Sequence, residues 1–286
     1  MVLALLATLL SASLSRTLDS QSPMIQGQGL ASLAPSITAT LLALGGEDRL
    51  AMISDFCPTV GDLPRGGTAL SPDLERILRS GAKILLARSA AGVPVDALGR
   101  IGVPVMLPWS NVEDLCFSIE KLGEISAKEE NARELAQRMR SGMAPTDSPQ
   151  SPRILLVIGG PLDRSGGPWV IRDESLHGQA LRAAGYRNAL VDPLPGAPKI
   201  SLEALIEMNP DGIIHLIPAE ESSDSNREAV ISSYSGIPGL KALSRGAIGT
   251  IHDPTILDEG PGLLKLVGQL KETIQKLPLM VSEAPR

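Results

Sequence analysis

Aromatic residues are almost absent from this chain of 286 residues: two Trp, two Tyr and two Phe make up 2% of it. With 43% hydrophobic residues, the interior must be built from Leu, Ile, Val and Ala, so an aromatic side chain near a cleft carries unusual weight. Cysteine is equally scarce. Cys57 and Cys116 exclude a zinc knuckle or a disulfide framework, and leave either one bridge or two buried thiols. Three histidines, His177, His215 and His252, are too few for a naked metal ion that needs several converging donors, and His215 falls inside a predicted strand. A basic excess is lacking too: a formal net charge of −6 gives none of the positive footprint that nucleic-acid backbones require.

Catalytic signatures are also missing. Gly27 and Gly29 begin no G-x-G-x-x-G, because Ser32 stands where the third glycine belongs and no strand comes before it. The glycine pair at 159–160 follows a predicted strand but lacks the Gly-Lys-Ser/Thr of a phosphate loop. No Ser-His-acid or Cys-His set has local motif support. The reading is therefore of a chain with no catalytic residues, no metal site and no intrinsic cofactor. A Rossmann-type soluble enzyme stands as the alternative.

What the chain does have begins with an apolar run, MVLALLATLLSASL, with no charge before Arg16. The run is short of the roughly 20 residues needed to cross a bilayer, and fits the core of a secretory signal ending near 11–15. No Lys or Arg precedes it and no Cys follows closely to take a lipid. Export to a periplasmic or extracytoplasmic location is expected, against an ordinary buried N-terminal helix.

Beyond about residue 29, strands alternate with helices, the pattern of mostly parallel sheets covered by helices. Strands are predicted at 30–34, 49–54, 83–87 and 103–107. Helices are predicted up to Leu44, capped by Ser36 or Thr38 and stopped by Gly45-Gly46, and over 72–80. Ser110 and Glu113 have the spacing of a capping box. From there apolar residues recur with helical period at Val112, Leu115, Ile119, Leu122, Ile125, Ala132, Leu135, Ala136 and Met139. A helix continuous to Gly142 would span about 45 Å, long enough to bridge two domains. After a Pro/Ser-rich stretch the alternation resumes, with strands at 153–158, 189–191, 212–217 and 248–251 and helices at 175–184, 201–208 and 262–276. The predicted organisation is a signal-like segment and linker (1–22), an N-terminal lobe (23–109), a bridging helix (110–142), a C-terminal lobe (143–276) and a tail (277–286). The fold class is α/β, two Rossmann-like lobes joined by one long helix.

An internal repeat supports two lobes. A shift of 128 residues places Leu74-Glu75 on Leu202-Glu203, Ile77 on Leu205, Leu85 on Ile213 and Leu86 on Ile214. Each lobe thus carries a Glu in the first turn of a helix that feeds a strand. The helix macrodipole favours an acid there, so these two acids are either simple helix-start residues or a matched pair gripping a basic partner.

The run SLAPSITATLLALGG at 32–46, then Ile53-Ser54-Asp55-Phe56-Cys57, Leu63-Pro64-Arg65, LSPDLERIL at 70–78 and ISLEALIEMNPDGIIHL at 200–216, resemble the iron-siderophore and vitamin B12 periplasmic-binding family, the helical-backbone class III binding proteins. That resemblance implies the substrate-binding component of an ABC importer, a monomer that holds a metal chelate (siderophore, heme or corrinoid) between its lobes. Its partners would be the small-molecule ligand and an ABC permease with its ATPase, through which alone it meets the membrane. It further implies that Glu75 and Glu203 dock onto permease arginines. The ligand is expected against loops at the strand ends, where open α/β sheets place their sites: Asp55, Phe56 and Arg65, then Trp109, Pro168 and Trp169, then Asp258 and Glu259. His177 and Tyr186 remain as heme-ligand alternatives. The sequence departs from the family where cobalamin relatives carry Trp, since Ala69 and Ala197 stand there. At 257–262 it lacks an Arg found in many relatives after the Pro. An interaction module with a filled cleft is the third reading.

Overall fold

The computed structural model describes residues 29–90, 92–163, 166–192, 197–219 and 224–279. The signal-like run and the last residues of the expected tail lie outside them. The chain divides into two compact units. One holds the described residues up to Trp109 with 114–137, and the other holds 110–113 with the described residues from Arg138 on.

The first unit is an all-parallel sheet of β1 (Leu30–Ser32), β2 (Leu50–Ile53), β3 (Ile84–Arg88) and β4 (Val103–Leu107), in the order β2-β1-β3-β4. β3 is buried along most of its length, as expected of a parallel strand covered on both faces. α1 (Pro35–Leu44) begins one residue before Ser36, because proline's fixed φ and missing amide suit the first helical position. No side chain caps it. Thr38, expected as a possible cap, instead places Oγ1 2.7 Å from Ser32 Oγ and 3.0 Å from Cys57 Sγ. The glycine stop is as predicted: Gly45 is left-handed, and the amides of Gly45 and Gly46 donate to Leu42 and Leu41. Cys57 and Cys116 are both buried thiols with no disulfide between them.

The predicted apolar stripe after Trp109 is buried as expected, but the uninterrupted helix over 110–142 is corrected. The segment forms α4 (Val112–Ser126) and α5 (Glu129–Gly142), and Ala127 between them takes a left-handed φ of 57°. The Lys128 amide closes the turn on Gly123 O at 2.8 Å. The second helix then folds back along the first: Gly123 faces Ala132, Cys116 Sγ donates to Ala136 O at 3.4 Å, and Glu113 pairs with Arg140 at 3.2 Å. A Cβ on Gly123 would lie 2.3 Å from the Ala132 Cβ, so this close approach needs a residue without a side chain. Glu113 is thereby engaged by Arg140, and the Val112 amide donates to Gln179 Oε1 at 3.2 Å.

The second unit contains β5 (Arg153–Ile158), β6 (Trp169–Val170), β7 (Arg187–Asn188), β8 (Gly212–Ile217) and β9 (Ile248–His252), in the order β6-β5-β8-β9 with β7 also on β5. All pairings are parallel except that of β6 with β5. β7 lies slightly before the predicted 189–191, with pairing carried one residue further by Ala189 N to Ile154 O. Helices α6 (Leu176–Ala183), α7 (Leu202–Met208), α8 (Asp224–Ser233), α9 (Lys241–Ser244) and α10 (Leu263–Gln275) complete it.

The internal repeat is structural. Within the first unit, α2 (Leu74–Ser80) starts at the cap Asp73 and stops at left-handed Gly81; α7 starts at the cap Ser201 and stops at left-handed Asn209. Caps, helices and stops all correspond at the 128-residue shift. Each helix buries one apolar anchor completely, Ile77 and Leu205, worth about 1.5–3 kcal/mol each. Each then feeds an interior strand of its sheet, β3 or β8. α3 (Val95–Gly99) precedes β4, whereas the longer α8 and α9 stretch precedes β9, so the repeat fails after those strands.

Candidate functional site

In a parallel sheet the strand carboxyl ends share one edge, where the loops are free to build a site. In the first unit the loop after β2 is fixed by Arg65. Its Nη1 donates to the carbonyls of Ser54 at 2.9 Å, Asp55 at 2.8 Å and Cys57 at 3.0 Å. Asp55 accepts the Gly67 amide on Oδ1 at 3.2 Å and donates its own amide to Gly67 O at 2.8 Å. Arg65 is thus engaged through Nη1 inside the loop, and Asp55 closes the loop base. What they hold out is Phe56, 76% exposed. Trp109, after β4, is the opposite: its ring is 3% exposed with the Arg88 guanidinium 5.8 Å from its centroid. Glu75 pairs with Arg79 one turn along α2.

In the second unit β6 runs antiparallel to β5, which brings Trp169 opposite Ile158 at that strand's carboxyl end. Trp169 also bridges Lys199 on its other side, flanked by Val170 N to Pro198 O at 2.9 Å and Ile200 N to Pro168 O at 3.0 Å. Its backbone is thus paired on both edges while its side chain stays 52% exposed. Gly167 makes this possible, since a Cβ there would lie 1.8 Å from Ile200 O and its φ is 72°. Beside the indole is a notch of about 150 Å³ lined by Val157, Leu162, Asp163, Pro168, Trp169 and Lys199 among others. Asp163 and Lys199 are paired at 3.2 Å. Asp163 falls in the predicted loop region, but Lys199 was not anticipated, because it reaches the notch through strand pairing 30 residues along the chain from Trp169.

Asp258 and Glu259, from the loop after β9, are half-buried against α6. His177 sets its Nε2 2.9 Å from Ile256 O and its Nδ1 4.0 Å from Glu259. Burial pushes His177 below its ordinary value, against the pull of Glu259, and burial raises Asp258. His177 is thus occupied in fastening this loop. Tyr186 is partly buried, which raises its pKa. Nearby Asp253 accepts from Lys265 at 2.6 Å, from the Thr255 amide at 2.9 Å and hydroxyl at 2.8 Å, and from Gln269 at 3.3 Å. His215 lies in the core, its Nδ1 2.9 Å from Gly159 O and its Nε2 2.8 Å from the Tyr234 hydroxyl. Only a donating Nδ1 satisfies the carbonyl, so the neutral ring accepts from Tyr234. Among the described residues no group of three or more His, Cys, Asp or Glu could hold a metal ion.

Glu203 sits exposed in the first turn of α7. Its own backbone amide and the Ser201 hydroxyl hydrogen-bond to it and hold its carboxyl below the usual range. Its counterpart of Arg79 at the repeat shift is Glu207, so the two repeat helices present different charge patterns around the matched acids.

The parallel-strand ends thus present Phe56 and Trp169 to solvent from backbone fixed by hydrogen bonds. The family model described as Periplasmic binding protein matches residues 30–255, and the chain belongs to that family of binding proteins. No curated protein matches the sequence. Among solved structures, the periplasmic heme-binding protein HutB of Vibrio cholerae is 17% identical with a TM-score of 0.70, covering 86% of this chain and 98% of its own. A periplasmic heme-binding protein from Pseudomonas aeruginosa is 22% identical, TM-score 0.68, over 88% and 95%. The periplasmic vitamin B12-binding protein BtuF of Vibrio cholerae is 18% identical, TM-score 0.67, over 87% and 96%. At these identities the likeness is one of fold. No helix among the described residues is long and apolar enough to cross a membrane.

Proposed function

We propose that the chain is the exported substrate-binding component of an ABC importer, which captures a metal chelate at its strand-end loops and delivers it to the permease. The observation that carries this reading is the presentation of Phe56 and Trp169. In a chain with six aromatics, these two stand exposed on backbone held by Arg65 and by strand pairing, which lowers the cost of ordering the backbone when a ligand arrives. Heme and corrinoid ligands, named for the structural relatives, offer large faces suited to such walls. Arg65 fixes the backbone that carries Phe56, and Asp258 and Glu259 make the loop after β9 acidic.

Delivery rests on Glu75 and Glu203, equivalent by the repeat and both exposed. Exposed ion pairs are individually worth about 0–1 kcal/mol, so their role is orientation and encounter rate. Glu75 must exchange Arg79 for a permease cation, whereas Glu203 has no such competitor at the equivalent position. Reversing both charges, Glu75→Arg with Glu203→Arg, is expected to abolish uptake in cells while ligand affinity of the purified protein stays within about twofold. Lost ligand affinity would instead assign the acids to the ligand, and unchanged uptake would remove them from delivery.

A further inference from the structure

The second unit lacks an arginine in the loop after β9, and Asp258 and Glu259 make that loop acidic. An anionic ligand would have to find its cation elsewhere. Arg172 is 10% exposed and paired with Asp192 at 3.2 Å, and Lys265 is held by Asp253 at 2.6 Å. Lys199 is the cation that lines the Trp169 notch among the described residues.

The position of Lys199 is built. Its backbone bridges Trp169 directly, so ammonium and indole are presented side by side. Gly166 leaves the space for it: a Cβ on Gly166 would lie 2.1 Å from Lys199 Nζ and 3.0 Å from Asp163 Oδ2. The notch, at about 150 Å³, has room for about five waters at ~30 Å³ each, below the size of a complete small-molecule pocket. It is therefore of a size to take the edge of a ligand and not a whole one. With side chains 36% and 55% exposed, the Lys199–Asp163 pair is of the weak, solvent-screened kind that an incoming anion can replace.

We propose that Lys199 recognises an anionic group, a carboxylate or its equivalent, on the edge of a flat, rigid ligand, with Asp163 holding the ammonium in place until that group arrives. This deepens the functional reading above and rests on it. Charge-assisted hydrogen bonds of this type separate charged from neutral ligands by about tenfold or more.

The probes are hemin, with free carboxylates at one edge, and its dimethyl ester, with the same face and no charge there. Titration of the whole protein is followed by tryptophan fluorescence and the visible spectrum. Hemin is expected to bind about tenfold more tightly than the ester. Lys199→Met should remove that difference by weakening hemin alone, and Lys199→Arg should retain it. Gly166→Ala provides a second check, because its methyl meets the flexible end of Lys199 and displaces the ammonium without disturbing backbone; it too should weaken hemin selectively. Equal binding of both probes, unchanged in Lys199→Met, would overturn this inference and leave the functional reading standing. Tighter binding of the ester would overturn it as well. Binding of neither probe would count against both the inference and the tetrapyrrole side of that reading.

Discussion

Trp169→Ala is expected to weaken ligand binding by about thirtyfold to a hundredfold with little change in melting temperature. Truncating an aromatic anchor in a desolvated contact typically costs more than about 2 kcal/mol, which is roughly thirtyfold at room temperature. Trp169 meets the conditions for the larger end of that range, since its backbone is paired on both edges and no ordering of the loop is needed on binding. Its indole is 52% exposed, so the folded unit loses little packing when it is removed. Trp109→Ala should behave in the reverse way. With 3% exposure beneath Arg88, it should cost about 3–5 kcal/mol of stability in the manner of a core truncation. Calorimetric titration and thermal melts on both variants check the contrast, and a similar loss of affinity in both would deny Trp169 its special position.

Acid should destabilise the second unit over two pH windows, the upper one carried by His215 together with the buried His177 and the lower one by Asp253. Burial lowers His215 to about 4 from an ordinary 6.5. The unfolded chain takes up that proton first, so stability present above pH 6.5 is lost as pH falls from about 6.5 to about 4, by about 3 kcal/mol. Burial works to raise Asp253, but Lys265, Thr255 and Gln269 outweigh it and hold the carboxyl at about 2, below its ordinary 3.8. The stability it contributes is full above about pH 4 and is lost as pH falls toward 2. Because Lys265 reaches Asp253 from solvent, with its side chain 67% exposed, this second step is on the order of 1–2 kcal/mol. Urea melts at stepped pH test both. His215→Gln keeps a donor for Gly159 O and an acceptor for Tyr234, and should shrink the upper window without touching the lower one, leaving the part that the buried His177 contributes. Asp253→Asn should flatten the lower one. A profile unchanged by His215→Gln would contradict the first assignment.

The sheets were legible in the sequence because parallel strands buried on both faces read as plain apolar runs, as in Ile84–Arg88 and Gly212–Ile217. The repeat carried further, since caps, anchors and stops of α2 and α7 occupy equivalent positions. The break at Ala127 was hidden. Alanine, lysine and glutamate are all good helix formers, and the apolar period runs on through the turn because both helices bury the same kind of stripe. Gly123 was the one local cue, and it signals close approach as readily as a stop. β6 escaped notice because a two-residue strand has no period of its own; it exists through partners at 157–158 and 198–200. α8 and α9 went unassigned because a polar stretch rich in Ser and Glu conceals their few anchors, Val230, Tyr234 and Ala242.

The candidate site divides the same way. Trp169 and Phe56 were marked by the family resemblance of their segments and given weight by the scarcity of aromatics, a cue that marks the buried Trp109 equally. Lys199 did not, because its place beside Trp169 is a matter of register between distant segments. Arg65 was expected at the ligand, and a structural part for it could not be read from sequence: its Nη1 donates to three carbonyls of its own loop.

The most direct measurement is of cargo. The protein purified from its host should carry a visible chromophore or bound metal. Stripped of it, the protein should be stabilised by one of hemin, cobinamide or a ferric siderophore, by about 2.7 kcal/mol at a hundred times the dissociation constant. A colourless, metal-free protein whose melting temperature none of these shifts, or one that turns over a nicotinamide cofactor steadily, would contradict the account.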